Sequence, residues 1–289
     1  MAVKPELIAI VGPTASGKTS LAIEIAEQWN GEIICADSRT VYKGMDIGTA
    51  KPSPEDQARV RHWGIDLVEP NVAFTAADFQ TYAKQAIADI RARGKLPILV
   101  GGTGLYVDAV LYDFTFGPPP DVDERTRLEA MSIEELIAYC NQHSILLPEN
   151  TQNKRHLVRA IERKSINAIS KNPLPSGYTV VGLATKMLTL RTRIADRTEH
   201  FFEQGVAKEA TLLGKKYGWN SEAMTGNIYP LMHQHLLGKV TLSETKDLFT
   251  TADYQLAKRQ MTWLRRNPDI EWVALTEAKS YIQSLLASE

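Results

Sequence analysis

Residues Gly12-Pro13-Thr14-Ala15-Ser16-Gly17-Lys18-Thr19 fit the pattern G-x-x-x-x-G-K-[ST] in full. The pattern constrains a fold only in the right surroundings, and they are present. Leu7 to Val11 is a continuous apolar run of the kind a buried parallel strand shows, and a helical pattern runs from Lys18 to about Trp29. A buried strand that passes through a glycine turn into a helix belongs to an α/β fold with a parallel sheet. The turn carries its own chemistry. Its glycines let backbone N–H groups face a diphosphate, and the helix N-terminus favours negative charge. Lys18 adds a point charge, and Thr19 a hydroxyl for a phosphate oxygen or Mg²⁺. Gly12, Pro13, Thr14, Ala15, Ser16, Gly17, Lys18 and Thr19 are thus the candidate diphosphate cradle, of the nucleotide-binding (ATP-binding) type, with Thr19 the candidate metal ligand. A glycine turn without a ligand is the bland alternative.

The rest of the chain agrees with that start. Glu32 to Ala36 and Leu96 to Val100 read as further short apolar strands. Ser53-Pro54 opens a helix with an N-cap serine and a proline at the first position. Thr75 to Asp78 has capping-box form, and its helix runs to Arg93 with Gly94 as the stop. The expected class is α/β, a P-loop NTPase-like core whose parallel sheet is flanked by helices. After Phe116 the pattern changes. Gly117-Pro118-Pro119-Pro120 is a breaker, the signals from Asp123 to about Ser170 are helical, and Asn172 to Gly177 is a second breaker. Thr179 to Ala184 is again strand-like. We therefore expect residues 1–117 to form the first part of the core and 118–176 a mostly helical insertion. Residues 177–289 return to the core with C-terminal helices, a strand at Ile270–Ala274, and a long helix from about Ser243 that stops at Asn267-Pro268.

Composition excludes several classes. With 44% hydrophobic and 23% charged residues in 289, the chain is neither disordered nor fibrous. Cys35 and Cys140 cannot build a disulfide framework or a four-cysteine zinc site. No apolar run approaches the roughly 20 residues that span a bilayer, and Leu7 to Val11 is too short for a signal-peptide core. A cytoplasmic location without membrane attachment is expected. The net charge of −1 conceals an asymmetry: residues 151–197 carry +8 and the remainder −9. A basic stretch in a neutral protein suggests one face meeting a polyanion; a solvated helical face is the alternative.

Three further positions bear on chemistry. Asp37 follows the second strand, where ligands of open α/β sheets bind. It reads as a metal ligand or a general base, with an N-cap as the bland alternative. Gly101-Gly102-Thr103-Gly104 follows the third strand where a nucleotide hydrolase would present an acid for Mg²⁺, and none is there. Small residues there would let a second substrate approach closely; a tight strand-to-helix turn is the simpler reading. Arg193 and Arg197 are four apart on a predicted helix and share a face; Arg197 is a candidate to stabilise a leaving phosphate, and a solvated face is the more ordinary reading.

Taken in order, these segments resemble the bacterial tRNA dimethylallyltransferases, or isopentenyl-tRNA transferases. The resemblance rests on Gly12–Thr19, Asp37-Ser38, Tyr42-Lys43-Gly44-Met45-Asp46-Ile47-Gly48-Thr49-Ala50-Lys51-Pro52 and Ala76-Ala77-Asp78-Phe79. It continues through Gly101-Gly102-Thr103-Gly104-Leu105-Tyr106, Arg159-Ala160-Ile161-Glu162 and Ala257-Lys258-Arg259-Gln260-Met261-Thr262-Trp263-Leu264-Arg265-Arg266. It implies transfer of a dimethylallyl group from dimethylallyl diphosphate to N6 of the tRNA adenosine just 3′ of the anticodon, assisted by Mg²⁺. By the same resemblance Asp37 is the general base, and Thr19 and Arg197 stabilise the diphosphate. Asp37, Ser38, Arg39, Thr40, Thr103, Arg125, Asn153, Lys154, Arg155, His156, Leu157 and Arg159 fall where the family contacts tRNA. The insertion would grip the anticodon stem-loop, and a monomer is expected. The sequence departs from the family at Ile228-Tyr229-Pro230-Leu231, where Gly-Tyr-Lys-Glu is usual and only Tyr229 survives. Trp63-Gly64 replaces a usual His-Leu, His156 an arginine, and Tyr254 an arginine. Two alternatives stay open at this stage: a P-loop kinase of a small molecule, and a catalytically weakened tRNA-binding relative.

Overall fold

A computed structural model describes residues 4–117, 121–163 and 172–287. Pro118 to Pro120, the end of the helical signal over 164–170, and Lys164 and Lys171 lie outside the described residues. The chain divides into two compact units: residues 1–112 with 173–289, and residues 113–172.

The larger unit is built on six parallel strands: β1 (Leu7–Val11), β2 (Gly31–Ala36), β3 (His62–Trp63), β4 (Leu96–Gly101), β5 (Tyr178–Ala184) and β6 (Ile270–Ala274). Their order is β3-β2-β4-β1-β5-β6. All five residues of β1 are buried because strands flank both edges and side chains cover both faces. Register sets Ile8 beside Ile98 and Thr179, and Ile33 beside Ile98. On one side Ile8, Ile10, Ile33, Ile98, Val181 and Leu183 pack against α1 (Lys18–Gln28) and α12 (Leu275–Ala287), through Leu21, Ile25, Ile282 and Leu286. Each such side chain contributes about 1.5–3 kcal/mol of burial.

The local signals for helices operate as residue chemistry requires. Ser53 accepts from Asp56 N to start α2 (Pro54–Arg59). Thr75 and Asp78 form a reciprocal capping box on α3 (Ala76–Ala92), which ends before Gly94 at φ +68°. One feature escapes sequence patterning, β3, only two residues long, while α4 (Gly104–Leu111) begins at the last glycine of the turn, as a strand-to-helix turn requires. The second half adds α8 (Met187–Gln204), α9 (Val206–Tyr217), α10 (Ile228–Leu236) and α11 (Leu242–Leu264). Thr241 and Glu244 cap α11, two residues before the expected Ser243 start.

The smaller unit has its own core. Here α5 (Val122–Ala130), α6 (Ile133–Gln142) and α7 (Lys154–Glu162) enclose Leu128, Leu136, Cys140, Leu157, Val158 and Ile161. Ser132 and Glu135 form the capping box of α6. Both cysteines are buried and free. Among the described residues no helix is long and apolar enough to cross a membrane.

Candidate active site

The phosphate loop, Asp37 and the Gly101 turn leave the carboxyl ends of three adjacent strands. β4 lies between β1 and β2, and register aligns Gly101 with Val11 on one side and Ala36 on the other. The loop after β1 needs unusual backbone: Ala15 has φ +61° and Gly17 φ +92°. Ser16 is wholly buried, and among the described residues its Oγ finds no hydrogen-bond partner. An unpartnered buried hydroxyl costs about 1–3 kcal/mol, so a polar ligand is the natural recipient. Lys18 Nζ folds back onto Pro13 O at 3.1 Å. Burial lowers its pKa to about 8; the Asp37 carboxylate works against this and the Arg197 charge adds to it.

Helices from the second half close on this loop. Gln260 Oε1 of α11 accepts from Thr14 N at 2.8 Å. Arg193 Nη1 of α8 donates to Ala15 O and Ser16 O, each at 3.4 Å. One turn on, Arg197 Nη2 donates to Asp253 Oδ2 at 2.6 Å, and Asn227 Nδ2 donates to Asp253 Oδ1 at 2.7 Å. Lys18 lies within electrostatic reach of both Asp37 and Arg197.

No helix starts at Asp37, so the N-cap reading fails. Its Oδ1 accepts from Arg39 N at 2.8 Å, an Asx turn that fixes the carboxylate. Ser38 N donates to Thr103 Oγ1 at 3.1 Å, and Thr40 Oγ1 to Asp37 O at 3.4 Å. The Arg39 guanidinium reaches Glu222 O and Thr225 Oγ1, both at 3.2 Å. Asp37, Ser38, Arg39, Thr40 and Thr103 therefore form one constellation. The glycines beside Thr103 serve the protein's own packing rather than room for a substrate. A Cβ on Gly101 would stand 2.1 Å from Ala36 O, and one on Gly104 2.1 Å from the Trp263 ring.

Sequence reasoning missed Glu209 of α9. Its carboxylate accepts from Asp46 N at 2.9 Å, Ile47 N at 2.7 Å, Gly48 N at 2.9 Å and the Tyr229 hydroxyl at 2.9 Å. A Cβ on Gly48 would meet the Tyr229 hydroxyl at 2.7 Å. Lys51, with its side chain 3% exposed, ties Asp46, Asp66 and Tyr42 O together. This explains why Tyr229 persists among departed neighbours: it completes the anchor of the Met45–Pro52 segment. Tyr254 packs with Ala15 of the phosphate loop against Leu190, Ile194 and Ala257.

The candidates of the smaller unit have mixed settings. Asn153 caps α7 by accepting from Arg155 N, Lys154 Nζ donates to Glu129 O at 2.6 Å, and Arg125 pairs with Glu129 at 3.0 Å. Arg159 pairs with Glu162 at 3.1 Å, while Arg155 and His156 are exposed. Leu157 is wholly buried in the apolar core, so its side chain leaves the candidate contact set. The basic stretch is also not one element. Lys154, Arg155, Arg159 and Arg163 belong to the smaller unit, and Lys186, Arg191, Arg193 and Arg197 to the larger.

This arrangement joins the candidate diphosphate cradle, an oriented carboxylate and a paired arginine, and comparison with known proteins gives it a family. Residues 40–267 match the family model described as IPP transferase. A tRNA dimethylallyltransferase from Roseiflexus sp. is 39% identical over 280 residues, covering 91% of each chain. One from Bacillus licheniformis is 36% identical over 290 residues, covering 94% of this chain and 92% of its own. The crystal structure of full-length tRNA isopentenylpyrophosphate transferase from Bacillus halodurans superposes with a TM-score of 0.75 at 35% identity, covering 98% of this chain and 97% of that one. A eukaryotic dimethylallyltransferase acting on tRNA shares the fold, with a TM-score of 0.78 at 22% identity, over 96% of this chain and 77% of its own. With the phosphate loop, the Asp37 turn and the α8–α11 cations arranged on this fold, the chain belongs to the IPP transferase family.

Proposed function

We propose that this chain transfers a dimethylallyl group from dimethylallyl diphosphate to N6 of the tRNA adenosine 3′-adjacent to the anticodon, releasing diphosphate. The reading is carried by one observation: the phosphate loop with Lys18 and the Asp37 turn leave the carboxyl ends of β1 and β2 on either side of β4, and α8 closes on the loop through Arg193, one turn from Arg197. The reaction needs these groups together. An exocyclic adenine amine is a weak nucleophile, and its proton must leave as the N–C bond forms. Asp37, oriented through its Oδ1, accepts that proton. The C–O bond to the diphosphate breaks in the same displacement. The charge that develops on the leaving oxygens is met by Lys18, the loop N–H groups and Arg197. The adenine leaves the stack to reach the site, which costs least in a single-stranded loop.

The donor set suits Mg²⁺. Among the described residues no group of three or more His, Cys, Asp or Glu forms a protein-only metal site. Mg²⁺ commonly takes one or two protein oxygens and completes its shell with phosphates and water. Thr19 would hold it, with Asp37 nearby, and when bound it neutralises charge on the diphosphate. The helical unit, with Arg155, His156 and Arg159 exposed, would bind the anticodon stem-loop. A monomer is the expected working unit, and a tRNA substrate suits work in the cytoplasm.

Purified protein incubated with labelled dimethylallyl diphosphate, Mg²⁺ and an unmodified anticodon stem-loop should yield N6-dimethylallyladenosine by nucleoside mass spectrometry. Phosphoryl transfer from ATP to a small acceptor, with no prenylation, would establish the kinase alternative instead.

A further inference from the structure

We propose that Asp253 competes with the leaving diphosphate for Arg197 and so governs product release. The inference rests on the reading of Arg197 as a cation of the diphosphate pocket. Asp253 lies on α11 and Arg197 on α8, two helices that pack together. Asp253 is only 6% exposed, and both its oxygens are engaged, Oδ2 by Arg197 at 2.6 Å and Oδ1 by Asn227 at 2.7 Å. Its neighbours along the buried face of α11 are Phe249 and Ala257. A carboxylate in such a setting requires a paired cation, and Arg197 supplies it. Asn227 orients the carboxylate from the far side, so Asp253 presents a fixed charge to the guanidinium.

Arg197 has capacity to spare. Among the described residues its buried Nε finds no hydrogen-bond partner. A guanidinium carries five N–H donors in a rigid fork, enough for a carboxylate and a phosphate oxygen at once. Two anions on one guanidinium each weaken the hold of the other. Without Asp253 the whole charge of Arg197 would act on free diphosphate, which is more highly charged than the esterified donor. Asp253 thus does two things. It holds Arg197 in place before the donor arrives, and it offsets the charge that would retain the product. Asp253 makes and breaks no covalent bond; it is a positioning residue.

Asp253→Asn keeps the shape and a hydrogen-bond acceptor for Arg197 but removes the charge. We expect inorganic pyrophosphate to bind this variant about tenfold more tightly in calorimetric titration. Steady-state turnover should fall several-fold as release slows, while the single-turnover rate stays within about threefold and kcat/KM for tRNA is unchanged. Asp253→Ser gives the same sign and serves if the asparagine variant misfolds. A merely structural carboxylate would weaken donor and tRNA alike and tighten nothing. Pyrophosphate affinity that is unchanged or weaker in both variants overturns the proposal. Arg197→Ala separates the two levels. If it weakens pyrophosphate binding while the Asp253 variants leave it unchanged, the competition fails and the site assignment stands. If Arg197→Ala binds pyrophosphate like the wild type, both fail. In Arg197→Ala/Asp253→Asn the tightening should vanish, and its persistence would also overturn the proposal.

Discussion

Asp37 is the residue on which the chemistry turns, and its setting makes a sharp expectation. Asp37→Asn retains the turn, because the amide oxygen still accepts from Arg39 N. It removes the base, so single-turnover prenyl transfer should fall by about 10² or more with little change in the binding of either substrate. Wild-type rates in the purified variant would remove Asp37 from the reaction. Lys18 offers a second test at this scale. Its pKa stands lowered to about 8, mainly by burial. A diphosphate beside it favours the charged form, so its pKa rises on binding. Around pH 8 to 9 the free protein carries Lys18 partly neutral, and binding must therefore take up protons; near pH 6, where Lys18 is charged throughout, this uptake disappears. Titrating pyrophosphate by calorimetry in two buffers of different ionisation enthalpy measures it. Lys18 and Asp37 were legible in the sequence because a short motif and a strand end mark them. Asp253 and Glu209 were not. Their partners lie 56 and 161 residues away in the chain, and no local pattern records such a contact.

At the scale of elements, the start of β2 shows how a departure from the family is absorbed. Glu32 is 2% exposed, yet its carboxylate accepts from Trp63 Nε1 at 2.8 Å, from Arg93 Nη1 and Nη2 at 2.5 and 2.8 Å, and from Lys95 Nζ at 2.8 Å. Trp63, which stands where a histidine is usual, supplies one of these donors from the two-residue strand β3, and Arg61 lies over its ring. The Arg93 hydrogen bonds lead in depressing the Glu32 pKa to about 2. A depressed carboxylate contributes stability that is fully present above its unfolded value near 4.5 and is lost as pH falls towards 2. Glu32→Ala should therefore cost about 3 kcal/mol at pH 7, the low end for breaking a buried pair, because Arg93 and Lys95 retain some water contact. Urea melts at pH 7 and pH 3 should differ less in the variant than in the wild type. An equal loss of stability with acid in both proteins would mean that Glu32 is not the linked group. The helices were readable from caps such as Thr75–Asp78 and Thr241–Glu244, since each cap is a local exchange of hydrogen bonds. β3 was not, because two residues hold no periodicity and only pairing with Ile33 and Ile34 makes them a strand.

For the whole molecule, the charge asymmetry of the sequence resolves into two roles carried by two units. The +8 of residues 151–197 looked like one face, but the fold gives Arg155 and Arg159 to the helical unit and Arg197 to the core. The second breaker already marked this split in the sequence, because it places the boundary between units inside the basic stretch. Arg155 is exposed, and Arg159, itself exposed, shares the largely buried carboxylate of Glu162 with Arg125. Arg155 can exchange water for phosphate contact at little cost, and Arg159 can turn to phosphate while Arg125 stays with Glu162. Arg197 is instead committed to Asp253 and the phosphate-loop region. The two positions should therefore respond differently to salt. Binding of an anticodon stem-loop releases counterions, so log Kd against log salt is linear, and each phosphate contact removed lowers the slope by roughly 0.7 to 0.9. Arg155→Ala/Arg159→Ala should weaken stem-loop binding and lower that slope by one to two such steps, with the single-turnover rate at saturating RNA unchanged. Arg197→Ala should leave the slope unaltered and reduce the rate. Filter-binding titrations at several salt concentrations, paired with single-turnover assays, measure both. An unchanged slope in the double variant would make the helical unit's arginines a solvated face, and a lowered slope in Arg197→Ala would move that residue from the diphosphate to the RNA.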